Sequence, residues 1–199
     1  MAEVKTNKCF ELADIDENVS CDELDNLAGV IQEVIYFLWE DVATWPELPK
    51  VTEAPLTLEA AGKWVGDVAM KEGCRAYKFV CTEDTAELKI TDQGEVGGES
   101  CLYELDVTRS KMSATLFGFE NATRGRRMGL IVTDKNGNHY LMGDKLNAAH
   151  RVAGDGSTTG KATTDMNKSS LKFTYSCPRK LIYDGDISTI LTPAPAAIP

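Results

Sequence analysis

Met128–Gly143 reads MGLIVTDKNGNHYLMG. An apolar run, Leu130-Ile131-Val132, leads into Asp134-Lys135-Asn136-Gly137, and a second run, His139-Tyr140-Leu141-Met142, leads out. Asn-Gly between two β-prone runs predicts a hairpin closed by a type I′ turn, whose two central residues need positive φ. The stretch offers no nucleophile, no set of metal ligands and no phosphate cradle. It reads as part of a β-rich building block around which the remaining segments are arranged.

Toward the C-terminus, Gly154–Asp165 (GDGSTTGKATTD) is rich in Gly, Ser and Thr and reads as a loop. Leu171–Ser176 (LKFTYS) alternates and predicts a strand with Leu171, Phe173 and Tyr175 on one face. Lys180–Leu191 reads as an extended arm, and the tail TPAPAAIP is too proline-rich to pack alone.

Toward the N-terminus, Lys111–Gly125 predicts the one helix, capped by Ser110, with Met112, Leu116 and Phe119 on one stripe and Gly125 at its end. Arg124, Arg126 and Arg127 then suit a helix C-terminus better than a phosphate site. Thr85–Thr91 and Glu99–Arg109 alternate as strands, with Ala86, Leu88 and Ile90 on one face of the first. In the second, Cys101, Tyr103, Leu105 and Val107 point inward. The glycine-rich Asp92–Ser100 joins them as the polar tip of a long hairpin.

Cys74–Cys81 and Gly29–Trp39 are strand-like in their aromatic and β-branched content. The latter is apolar on both faces, so it is covered twice or meets another subunit, with a short buried helix as the competing reading. Three prolines make Trp45–Pro55 a loop, and Leu56–Met70 reads as irregular. Residues 1–28 form an acidic arm, with room for a helical turn near Asp22–Leu27. The expected fold is mainly β (α+β by count): an antiparallel β-sandwich or barrel with one flanking α-helix and extended terminal arms. A single domain spans 1–199, with its core at 29–176 and a C-terminal arm at 177–199.

The formal charge of −10 opposes an external nucleic-acid partner, because gripping phosphates requires clustered Lys and Arg. It suits plain solubility, or a wall that DNA must slide past. No apolar leader and no membrane-length run occurs, so synthesis in the cytoplasm, with no membrane partner, is expected. The six cysteines form no CxxC pair and none has a histidine at ligand spacing, so they read as reduced structural residues and no metal is expected. Thr158–Thr163 (TTGKAT) fails as a P-loop, with Asp155 where the first glycine belongs and Ala162 where a hydroxyl belongs. His139 and His150 sit in no triad or HExxH pattern, and scattered acids such as Glu83, Asp84 and Glu87 read as solvated. No catalytic residue, cofactor or small-molecule substrate is expected.

The order of features resembles a family of roughly 200-residue virion proteins from tailed phages of Bacteroidetes hosts. Ala28-Gly29-Val30-Ile31-Gln32-Glu33-Val34-Ile35-Tyr36 resembles its "GG-I-x-E-I-Y" opening, and Leu130–Gly143 its "IV-D-x-N-G-x-Y-L-L-G". Thr159–Asn167 followed by Leu171-Lys172-Phe173-Thr174 is similar to its "TG-x-x-x-x-D-x-N-G, strand" ending. Ala28 and Lys168 stand where the family has glycine.

The resemblance implies a non-enzymatic, self-assembling virion subunit, built into particles in the bacterial host cytoplasm. Its partners would be copies of itself and other virion proteins, with passive contact with DNA in a lumen. A tail tube fits best, since such subunits combine a β-core, one helix, a long hairpin loop and terminal arms. The alternatives are an auxiliary capsid decoration protein and a carbohydrate- or receptor-binding β-sandwich using Trp39, Trp45 and Trp64. Candidate contact residues between copies are Glu95, Val96, Gly97 and Gly98 at the hairpin tip, Trp45 and Pro46 in the proline loop, and Leu191 and Pro193 in the C-terminal arm.

Overall fold

The structure is a computed structural model that describes residues 9–15, 26–51 and 55–193. In chain order its strands are β1 (Phe10–Glu11), β2 (Val30–Leu38), β3 (Val42–Thr44), β4 (Leu56–Thr57), β5 (Ala69–Met70), β6 (Tyr77–Val80), β7 (Glu87–Gln93), β8 (Ser100–Ser110), β9 (Arg127–Asp134), β10 (His139–Met142), β11 (Ala149–Thr158) and β12 (Lys168–Cys177). Three helices join them: α1 (Leu58–Ala61), α2 (Ala114–Thr123) and α3 (Ser188–Leu191). The expected antiparallel β-architecture with a flanking helix is present. One large sheet runs β6-β2-β9-β11-β12-β8-β7, with β10 also paired to β9.

That sheet curls. Its border strands β6 and β7 are consecutive in sequence, and the tether from Val80 to Glu87 reaches about 25 Å at full extension. Seven flat strands would hold those borders about 29 Å apart. The tether itself crosses the seam, with the Thr82 N–H donating to the Thr108 carbonyl at 2.8 Å.

Directly paired residues share a face, so register sorts the side chains. The inner face collects Leu88 and Ile90, Tyr103 and Leu105, Phe173 and Tyr175, Met128, Leu130 and Val132, and Val34 and Phe79. Helix α2 lies against this face: Phe119 packs on Tyr36 (5.0 Å between centroids) and Phe79 (5.2 Å). From the same helix Glu120 accepts a hydrogen bond from Ser169 (2.8 Å) and pairs with Arg151 (3.5 Å). It thereby fills the gap where β11 runs on past the two residue pairs that join it to β9.

The opposite face of β2, β9 and β10 carries Ile35, Phe37, Ile131 and Leu141, all buried to 5% exposure or less. Trp45 stacks obliquely on Phe37, at 5.8 Å. The segments flanking it add Val42, Trp64, Val68, Met70, Leu181, Tyr183 and Ile190 to the same buried core. The central strand is therefore enclosed from both sides, which is why Leu130-Ile131-Val132 is continuous rather than alternating. The strand reading of Gly29–Trp39 holds, and both apolar faces are covered within the chain from Val34 to Phe37, while Ile31 near the strand's start stays exposed.

Four local expectations are corrected. The hairpin turn is not type I′: Gly137 has φ +89°, but Asn136 does not share positive φ. The Gly137 N–H closes on the Asp134 carbonyl (3.2 Å), giving a type I turn followed by a left-handed glycine. The cap of α2 is Ser113, whose Oγ accepts from the Leu116 N–H at 3.2 Å; Ser110 ends β8 and Met112 precedes the helix. Gly154–Thr158 belongs to β11, not to a loop: the register slips between Val152 and Gly156, and a side chain at Gly154 would press on the β12 backbone at 3.3 Å. Lys180–Leu191 is docked rather than projecting, since Tyr103 Oη accepts from the Leu181 N–H (3.0 Å) and Tyr183 Oη from the Val68 N–H (3.0 Å). Leu56–Met70, read as irregular, begins with β4 and the single turn α1 and ends with β5, and only Gly62–Val68 between them lies outside named elements. The acidic run 16–25, its suggested helical turn up to Asp25, and tail residues 194–199 lie outside the described residues.

Candidate assembly surface

The β7–β8 hairpin ends in Gly94–Glu99, where Gly94 and Gly97 take positive φ and the Gly98 N–H bonds the Glu95 carbonyl at 2.8 Å. These local bonds leave Val96 at the apex, 97% exposed. Glu95, Gly97 and Gly98 flank it, also exposed, so four of the eight sequence candidates form one projecting tip. Seven consecutive residue pairs, Glu87↔Asp106 to Gln93↔Ser100, hold the stem.

The other candidates are not gathered there. Trp45 is half-buried against Phe37 and Trp39, and Pro46 is buried, so both pack toward the core rather than join the hairpin tip. Leu191 is half-buried against the core, whereas Pro193 is exposed. The sequence reading did not single out Leu146, 86% exposed in the loop after β10, nor Leu12 and Ile15, 85% and 89% exposed in the segment after β1. Isolated aliphatic side chains in polar surroundings give periodicity nothing to detect.

The tryptophans do not share an open platform. Trp64 is buried at 7% exposure, and the Arg127 guanidinium covers one face of Trp39 at 3.9 Å. The Trp39 indole N–H is committed to the Asp144 carbonyl at 2.7 Å. The arginine cluster is likewise divided, with Arg126 pairing Glu40 at 3.3 Å and Arg127 stacking on Trp39.

Two acids organise the loops around β10. Asp134 Oδ1 accepts from the N–H groups of Asn136 (2.9 Å) and Asn138 (2.8 Å), while Oδ2 accepts from Asn138 Nδ2 (3.0 Å) and the Tyr140 hydroxyl (3.2 Å). Burial opposes the charge on Asp134, but those four bonds outweigh it and hold the carboxyl below its ordinary value. Asp144 Oδ1 accepts from the Leu146 and Asn147 N–H groups, and its Oδ2 from the Tyr175 hydroxyl at 2.6 Å. Burial, above all, pushes the Tyr175 phenol far up, so it stays protonated and donates. Both carboxylates are consumed in structure.

Open cavities interrupt the surface, one of them, of about 270 Å³, beside Leu146 and His150. A second, of about 360 Å³, lies at the seam of the curled sheet, between β7 and the start of β2, with Asp134 and Tyr140 on its wall. Another of about 460 Å³ lies at the base of the β7–β8 hairpin and is lined by Asp92, Cys101 and Pro178 among others. Among the described residues no three His, Cys, Asp or Glu side chains gather as metal ligands, and no helix is long and apolar enough to cross a membrane.

Fold and surface together define a mainly β protein in which Asp134 and Asp144 hold the loops around β10 and a valine stands exposed at the tip of the β7–β8 hairpin. Comparison with known protein families, curated proteins and solved structures finds no match for this chain.

Proposed function

We propose that the chain is a non-enzymatic structural subunit of a tailed-bacteriophage particle, assembling with copies of itself, and that its place is the tail tube. The observation that carries this reading is the valine at the apex of the β7–β8 hairpin, almost wholly in water on a stem of regular pairing. A side chain so placed costs about 1–2 kcal/mol in forgone burial and does nothing for the monomer's core. It is suited to insertion into a neighbour. Heterologous contacts of that kind close into rings, which then stack. The family-like opening and closing motifs supply the phage context, and the −10 charge suits a lumen that must release DNA.

Electron microscopy of the purified full chain tests the reading. Rings or hollow rods are expected, and Val96→Glu should abolish them while leaving the melting temperature within a degree or two. A chain that stays monomeric and joins no particle component, or that turns over a substrate, overturns the reading. Binding of the unassembled chain to pre-formed heads would move it to the capsid surface instead.

A further inference from the structure

Cys101 and Cys177 are direct partners across the antiparallel β8–β12 ladder. Both are free thiols, at 6% and 1% exposure. Directly opposed residues in such a ladder have Cα atoms about 4.5 or 5.5 Å apart, and both spacings fall within the range that a disulfide bridges. Their position helps: Cys101 is the second residue of β8 and Cys177 the last of β12, so the backbone can close the small remaining Cβ gap.

Access is present on one side only. Cys101 lines the open cavity at the base of the β7–β8 hairpin, together with Asp92 and Pro178, the residue after Cys177. Its thiol donates to Asp92 Oδ1 at 3.4 Å, and one rotamer change would turn it from β7 toward β12. Cys81, also buried, donates to the Gln32 carbonyl at 3.0 Å and has no cysteine opposite it in the pairings of its sheet.

We infer that Cys101 and Cys177 are a latent disulfide site, closed by exchange with a small disulfide such as oxidised glutathione. In the first step the Cys101 thiolate attacks one glutathione sulfur; a Cys101–glutathione bond forms, the glutathione S–S bond breaks and one glutathione thiolate leaves. In the second, the Cys177 thiolate attacks the Cys101 sulfur, forming the Cys101–Cys177 bond and expelling the second glutathione thiolate. The two protons lost by the protein thiols go to the two released thiolates, so two cysteines are oxidised and one glutathione disulfide is reduced. Burial raises both thiols above their ordinary range, the Asp92 carboxylate adds to this at Cys101, and the closure is slow in consequence. Once made, the bond would fix β8 to the strand end from which the docked C-terminal segment departs. It would also close a long loop of chain.

The full reduced chain is equilibrated with excess oxidised glutathione, quenched in acid, alkylated under denaturing conditions and mapped by mass spectrometry. The expected product is a Cys101–Cys177 cross-linked peptide pair lacking two hydrogens, with a melting temperature several degrees above that of the reduced chain and restored by dithiothreitol. Cys101→Ala and Cys177→Ala should each lose both signals, and Cys81→Ala neither. Because the mapping is done on the unaltered chain, it does not depend on any variant folding. Full alkylation of both cysteines after oxidation, or a stable glutathione adduct on Cys101 alone, overturns the inference. Neither result bears on whether the chain assembles.

Discussion

The two halves of the curled sheet solve burial differently. In β2, β9 and β10 both faces are covered, one by the interior with α2 and the other by the segments around Trp45, Trp64 and Tyr183. In β7, β8 and β12 only the inner face is apolar. The outer face carries Lys89 opposite Glu104, Glu87 opposite Asp106, and Lys172 within 2.8 Å of Glu104. The first half is built like the centre of an α/β sheet without its helices, irregular chain taking the place of a helical layer. The second is an ordinary water-facing antiparallel sheet. Stability should be concentrated in the first and surface function in the second.

Truncating the enclosed half is the severest way to test that contrast. Ile131→Ala removes a fully buried side chain from the middle of β9 and should cost about 3–4 kcal/mol, read as a lower urea midpoint. A loss below about 1 kcal/mol would mean that the outer cover is loosely packed.

A middle-sized effect is expected where the enclosed half turns. Asp134→Asn leaves amide hydrogens facing Asn138 Nδ2 and the Tyr140 hydroxyl in place of an accepting oxygen, and should cost about 1–2 kcal/mol near neutral pH. Since the folded carboxyl lies below its ordinary value, its contribution is complete above about pH 4 and is lost as pH falls through the lowered value. The gap between parent and variant should therefore narrow in acid; a constant gap from pH 7 to 3 would assign the loss to packing.

The smallest effect belongs to the water-facing half. Lys172→Ala deletes the ion pair with Glu104 and should cost under about 1 kcal/mol, and less in high salt. A cost rivalling Ile131→Ala would erase the distinction between the halves.

The same contrast governs what was legible in the sequence. Strands with one wet face announced themselves by alternation: Cys101, Tyr103, Leu105 and Val107 inward, and Leu171, Phe173 and Tyr175 likewise, all buried as read. The hairpin at Asn136-Gly137 was legible too, though not its turn type, because Asn-Gly also fits a loop in which glycine alone is left-handed. What escaped was everything that depends on partners distant in the chain. Nothing in LIYDGDISTIL says that Tyr183 will bond Val68, so a docked strap reads as a free arm. The glycines of β11 read as loop because a bulge and a flexible turn draw on the same residue. Trp45 and Pro46 have loop composition but a core's surroundings. Of the proposed contact surface, the glycine-rich tip at Glu95–Gly98 was visible, because exposed turns are encoded locally, whereas Leu146 was not.

Joining the border strands β6 and β7 by so short a tether has a consequence for solubility. A rogue strand approaching either margin meets the other margin alongside it, so fibril-like extension of the ladder has no clear starting template. Copies of the chain at high local concentration can then crowd together without templating amyloid.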